Sequence, residues 1–203
     1  MPLPTDSAAA NPRAAGAPAW QDRWRLFFAL DPSPALRRQI VAHEGAWRWS
    51  PEARLSPADK LHLTLVFMAG VDPRHVPRLL RAGAQVAAAA RGCTLCLDRA
   101  AVWPGGIAHL APSKVPEAAQ ALHDALLMAA LHAQVDAERR AWHPHLTLAR
   151  KAQHAQPPLD FAELRWQARG FSLQRSLLGS GRYETLGRWR IGAGADDRPA
   201  VAV

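Results

Sequence analysis

The sequence predicts an α+β fold: two pseudo-symmetric lobes of mainly antiparallel sheet, helices on their outer faces, and a cleft between the lobes. Three observations predict it. The tetrapeptide His62-Leu-Thr-Leu65 returns 83 residues later as His145-Leu-Thr-Leu148. Each copy follows a helical stretch, which points to two similar halves. Finally, strand-like runs follow directly on strand-like runs, and that favours antiparallel pairing over a repeating βαβ pattern.

Arg25-Leu-Phe-Phe-Ala-Leu30 is almost wholly apolar and reads as a buried strand. Ser33-Pro34 supplies a capping hydroxyl and a proline for the first helical position, opening a helix to about Ala46. The first His-x-Thr strand comes next. Asp72-Pro73 repeats the cap-plus-proline device before an Ala-rich helix ending near Arg91-Gly92. Cys93–Leu97 and Ile107–Leu110 are strand-like, with the turn-forming Pro104-Gly105-Gly106 between them. Pro116 starts a third helix to about Val135, with Leu122, Leu126 and Ala129 on one stripe. The second His-x-Thr strand follows, then strands near Phe171–Leu177 and Tyr183–Trp189.

At 203 residues and 49% apolar composition the chain has length enough for one domain with a substantial core, over residues 23–190. Residues 1–22 are rich in Ala and Pro without a continuous apolar stretch and read as a disordered tail. Residues 191–203 are mostly Gly, Ala and Asp and read as a flexible one. No apolar run has the length of a membrane span, so a cytoplasmic monomer is expected. The net charge of +8 favours an anionic partner, nucleic acid before membrane. Cys93 and Cys96 form a lone C-x-x-C whose strand-like setting puts the sulfurs on opposite faces, so they read as structural thiols.

The chemistry lies in the repeat. With a strand's period of two, His62 and Thr64 share one face while Leu63 and Leu65 share the other, and His145 and Thr147 do the same against Leu146 and Leu148. Leucines facing a core leave the opposite face with a histidine and a hydroxyl. Two such strands side by side would gather two imidazoles and two hydroxyls around one small anion, a set suited to acid–base chemistry at phosphorus. Histidine alone titrates near neutrality unperturbed, so two of them can divide base and acid at pH 7. His143, two residues before His145, reads as exposed, and no metal site is expected. His43, His75, His109, His123, His132 and His154 have no motif around them.

Written as His62-Leu-Thr-Leu-Val-Phe67 and Pro144-His-Leu-Thr-Leu-Ala-Arg150, the two motifs resemble the 2H phosphoesterase superfamily. Within it the chain is most similar to the bacterial RNA 2′,3′-cyclic phosphodiesterases, also called 2′-5′ RNA ligases. The likeness extends to Arg25–Leu30, Leu97-Asp-Arg99, Trp103 and the Phe171–Trp189 segment. It departs at Met68-Ala69-Gly70 and around Trp103-Pro-Gly-Gly-Ile-Ala-His109, where the group's usual basic stretch is replaced.

The resemblance implies hydrolysis of RNA 2′,3′-cyclic phosphate ends to 2′-phosphomonoesters, with reversible 2′-5′ ligation as an added capacity. It implies His145 as the proton acceptor from water and His62 as the proton donor to the 3′ oxygen, although the residues themselves do not say which does which. Thr64 and Thr147 would donate to the phosphoryl oxygens, and no cofactor is implied. Phe67 and Arg150, three residues past each Thr, would sandwich a nucleobase. From the residues alone, Phe67 could equally be core and Arg150 could reach the phosphate. Rival readings are a diesterase for 2′-5′ oligonucleotides or small cyclic nucleotides, and a non-catalytic RNA-binding module. Intact histidines in both motifs argue against the last.

Overall fold

The computed structural model describes residues 23–177, 179 and 181–192. The tails expected before residue 23 and after 190 lie outside them, Ile191 and Gly192 excepted. Among the described residues no helix is long and apolar enough to cross a membrane.

In chain order the elements are β1 (Trp24–Leu30), α1 (Pro34–Glu44), β2 (Arg54–Leu55), β3 (Leu63–Val71), α2 (Val76–Ala89), β4 (Cys93–Leu97), β5 (Arg99–Trp103), β6 (Ile107–Ala111), α3 (Glu117–His132), β7 (Leu146–Arg150), β8 (Leu164–Ala168), β9 (Gly170–Leu177) and β10 (Arg182–Arg190). The Ser33 hydroxyl caps α1 by accepting from the Leu36 amide, as its sequence predicts. Asp72 caps a short 3-10 turn, Pro73–His75, and α2 begins only after it. At Leu97-Asp-Arg99 the chain passes between two strands split at Asp98: β4 pairs with β8 in a separate two-stranded sheet, and β5 pairs with β6. Three short strands were not visible as periodicity, namely β2, β5 and β8.

The main sheet runs β10-β9-β1-β3-β7-β6-β5, with β2 added beside β7. Every pairing in it is antiparallel. Four strands, β10-β9-β1-β3, make one lobe, and β2, β7, β6 and β5 make the other. The lobes join through a single register pair, Leu63 with Leu146. These leucines hold the same place in the two motifs. An antiparallel pair of equivalent residues is what a local twofold axis requires, so the repeat in the sequence and the symmetry of the sheet are one fact.

The core lies on the leucine face. Leu63, Leu65, Leu146 and Leu148 are all but inaccessible, and they pack with Leu26, Phe28 and Leu30 of β1. Helices α2 and α3 pack against each other and cover this side, α2 against β9 and β10 and α3 against β3. Removing that much apolar surface from water, at about 25 cal/mol per Å², is what fixes the opposite, motif-bearing face toward the cleft.

Candidate active site

The two histidines precede their strands by one residue, and both are aimed in the same way. His62 Nδ1 lies 2.7 Å from the Lys60 carbonyl oxygen, and His145 Nδ1 lies 2.8 Å from the His143 carbonyl oxygen. A carbonyl only accepts, so Nδ1 carries the proton in each ring and Nε2 is left to face the cavity. Continuing the Leu63–Leu146 register by one residue either way sets His62 opposite Thr147 and Thr64 opposite His145. Each imidazole thus faces the other motif's hydroxyl.

All four line a cavity of about 670 Å³, and Phe67 and Arg150 line it with them. A second groove of about 640 Å³, on the Trp103 and Trp142 side, shares Thr64, Phe67, His145, Thr147 and Arg150 with the first. Phe67 and Arg150 therefore stand at the waist between two continuous depressions.

Strict alternation would put Phe67 and Arg150 on the core face, because three is an odd offset from Thr64 and Thr147. Two β-bulges correct the parity. Along β3 the partners on β1 run Phe67 to Phe27, Val66 to Phe28, then Thr64 to Ala29, so Leu65 is the extra residue. Along β7 the partners on β6 run Ala149 to Ala108, then Thr147 to His109, so Leu148 is the extra one. The bulges sit at the same place in both motifs, and each re-aims the third residue past its threonine.

Other residues complete this site, of which the resemblance singles out Trp103 without giving it a role. Phe27 and Tyr183 flank His62, with ring centroids 4.9 and 5.4 Å away. Trp103 packs 4.4 Å from His145, and His109 lies behind Trp103 at 4.1 Å and 5.9 Å from His145. Each catalytic candidate is thus clasped by two rings from its own lobe. His109, which has no motif around it in the sequence, is buried on the strand beside His145. A signal for Phe27 existed: it alternates in phase with the exposed Arg25, which marks its face as the open one. For His109 and Tyr183 there was none, because strand register makes them neighbours of the motifs.

Burial is the largest influence on both histidines and lowers both below the ordinary histidine value. The charges around them differ. The Asp31 carboxylate favours the protonated form of His62, while Arg150 and, whenever it carries a proton, His145 disfavour it. Around His145 the contributing charges are Arg140, Arg150 and His143, which disfavour a second positive charge. His143 is exposed, as expected, and acts through its carbonyl. Among the described residues no three His, Cys, Asp or Glu side chains cluster to hold a metal ion. Cys93 and Cys96 are free thiols on β4, away from this cavity.

Residues 32–177 match the family model described as the 2′-5′ RNA ligase superfamily. Over 173 residues the chain is 34% identical to an RNA 2′,3′-cyclic phosphodiesterase of Escherichia coli (strain K12), covering 82% of this chain and 96% of that one. It is 28% identical over 140 residues to a protein of the same name from Bacillus subtilis (strain 168), covering 64% of this chain and 76% of the relative. Among solved structures, E. coli LigT complexed with 3′-AMP superposes with a TM-score of 0.75 at 30% identity, over 84% of this chain and 99% of that one.

Proposed function

The chain belongs to the 2′-5′ RNA ligase superfamily, and on that footing we propose that it is an RNA 2′,3′-cyclic 3′-phosphodiesterase. It opens cyclic phosphate ends to 2′-phosphomonoesters by two-histidine acid–base catalysis without a metal ion. The observation that carries this reading is the matched pair of Nδ1-to-carbonyl contacts, which turn both Nε2 atoms into one cavity holding two threonine hydroxyls. The relatives named for this activity and the nucleoside monophosphate bound to LigT support it.

In the proposed reaction His145 Nε2 takes a proton from water, and the oxygen attacks phosphorus in line with the bond to O3′. That bond breaks as His62 Nε2 gives its proton to O3′, leaving a 3′-hydroxyl and a 2′-phosphate. Thr64 and Thr147 donate hydrogen bonds to the phosphoryl oxygens as their charge grows. Asp31 near His62 and the cations near His145 support this division, favouring the proton on the first and its absence from the second. With a ribose 5′-hydroxyl in place of water, the same forward steps form a P–O5′ bond as the P–O3′ bond breaks, which is 2′-5′ ligation, and the reverse of that sequence cleaves the 2′-5′ linkage.

The test is turnover of adenosine 2′,3′-cyclic phosphate with and without EDTA, with the product identified by phosphorus NMR. The expected result is adenosine 2′-phosphate at an unchanged rate in EDTA. Loss of activity on chelation, or a 3′-phosphate product, would overturn the mechanism.

A further inference from the structure

We propose that the RNA strand leading to the cyclic end lies along the β2 side of the cavity, its backbone phosphates held by Arg25, Arg54 and Lys151. The inference rests on the function proposed above and adds a path for the substrate beyond its terminal nucleotide.

The 670 Å³ cavity is lined by Arg25, Arg54 and Lys151 together with Lys60 and Arg150, and, among the described residues, by no aspartate or glutamate. Arg25, Arg54 and Lys151 are exposed, and none of the three makes an ion pair or side-chain hydrogen bond among the described residues. Arg54 is the direct cross-strand partner of Arg150. Like charges in such a pair repel across a short distance, and Lys151 follows at once with a left-handed backbone, φ 54°. Three cations thus crowd one end of the β2–β7 ribbon with no ion-pair partner among the described residues. A polyanion relieves that repulsion. Beside them Leu55, 48% exposed, lines the same cavity and offers an apolar platform for a ribose or base.

The groove on the other side of the waist lacks this character. Beyond the shared Arg150, its exposed cation Arg140 is already paired with Glu138 at 2.8 Å, and Glu138 lines the groove too. A polyanionic strand continuing from the terminal nucleotide therefore gains more by turning toward β2 than toward Trp103 and Trp142.

Steady-state kinetics on two substrates tests the path: adenosine 2′,3′-cyclic phosphate, and a tetraribonucleotide ending in the same group. The variant is the triple Arg25→Gln/Arg54→Gln/Lys151→Gln, with Arg140→Gln as the comparison and melting curves to establish that each is folded. For the triple variant, kcat/KM on the tetranucleotide is expected to fall on the order of tenfold or more, at roughly two- to fivefold per exposed cation. On the mononucleotide it should stay within about twofold, a range narrower than one cation's effect. The slope of log kcat/KM against log salt for the tetranucleotide should shrink by about 0.7 per cation removed. Arg140→Gln, which removes a positive charge near His145, should change both substrates by the same factor. Equal losses on both substrates or no loss on either in the triple variant, or a selective loss in Arg140→Gln, overturns the path while leaving the activity standing. Wild-type protein that turns over neither substrate overturns the phosphodiesterase reading itself.

Discussion

Phe67 and Arg150 occupy matching places in the two motifs and reach the cavity only because each motif carries a bulge. As the two sides of a base sandwich they would act on substrate and transition state alike, so their loss should appear in KM more than in kcat. Phe67→Ala is expected to weaken nucleotide binding by about the 1–3 kcal/mol typical of base–aromatic stacking. Arg150→Lys keeps the charge and loses the planar guanidinium, so a stacking role predicts that Lys fails nearly as badly as Ala. Kinetics of the three variants on adenosine 2′,3′-cyclic phosphate decide it. Rescue by Lys, with binding unchanged in Phe67→Ala, would assign Arg150 to the phosphate and remove the sandwich. At this scale the sequence was informative about His62, Thr64, His145 and Thr147, since alternation against four leucines fixes their common face. It was silent on Tyr183 and His109. A single polar residue in an apolar strand says nothing about which motif lies across from it.

Elements set the tolerances around these side chains. Strand β5 ends in Trp103, whose ring is wedged between His109 and His145. Removing it frees His145 to turn about its Nδ1 contact, and a misplacement of about 1 Å can cost on the order of 100-fold in rate. Trp103→Ala should therefore lower kcat by roughly tenfold or more, whereas Trp103→Phe, which keeps a ring there, should recover most of the loss. Equal loss in both variants, with lowered melting temperatures, would mean that Trp103 serves packing alone. Helix α1 supplies a different test. Burial pushes the Glu44 carboxyl at its C-terminal end up to about 7, and Oε1 has no hydrogen-bond partner. A folded-state value above the unfolded one means a stabilising contribution that is full below about pH 4.5 and lost as pH rises through about 7. Glu44→Gln should melt with the wild type at pH 4.5 and above it at pH 8. Parallel melting temperatures at both values would show that the carboxyl is solvated and unshifted. Helix caps at Ser33 and Asp72 were legible because they are local hydrogen bonds between near neighbours in sequence. Bulges and the short strands β2, β5 and β8 were not, because each exists only by virtue of a partner strand distant in the chain.

At the scale of the whole molecule, two similar lobes meet at one leucine pair, and the reaction proposed for them needs one group from each. The fold class and the cleft could be read from the repeat; the slenderness of the junction and the aromatic clasp on each histidine could not. Burial lowers both imidazoles. A histidine depressed in the folded state contributes stability that is present above its ordinary value near 6.5 and lost as pH falls below it. The same depression sets the activity profile. One ring must be neutral and the other protonated in the free enzyme, so kcat/KM should be bell-shaped, its limbs belonging to the coupled pair. The most direct measurement is that profile on adenosine 2′,3′-cyclic phosphate for the wild type, His62→Ala and His145→Ala. The account predicts a wild-type bell centred below pH 6.5, and residual rates roughly two to four orders of magnitude lower in each variant. The alkaline limb should vanish in His62→Ala and the acidic limb in His145→Ala. A variant that keeps the wild-type rate and both limbs would contradict it.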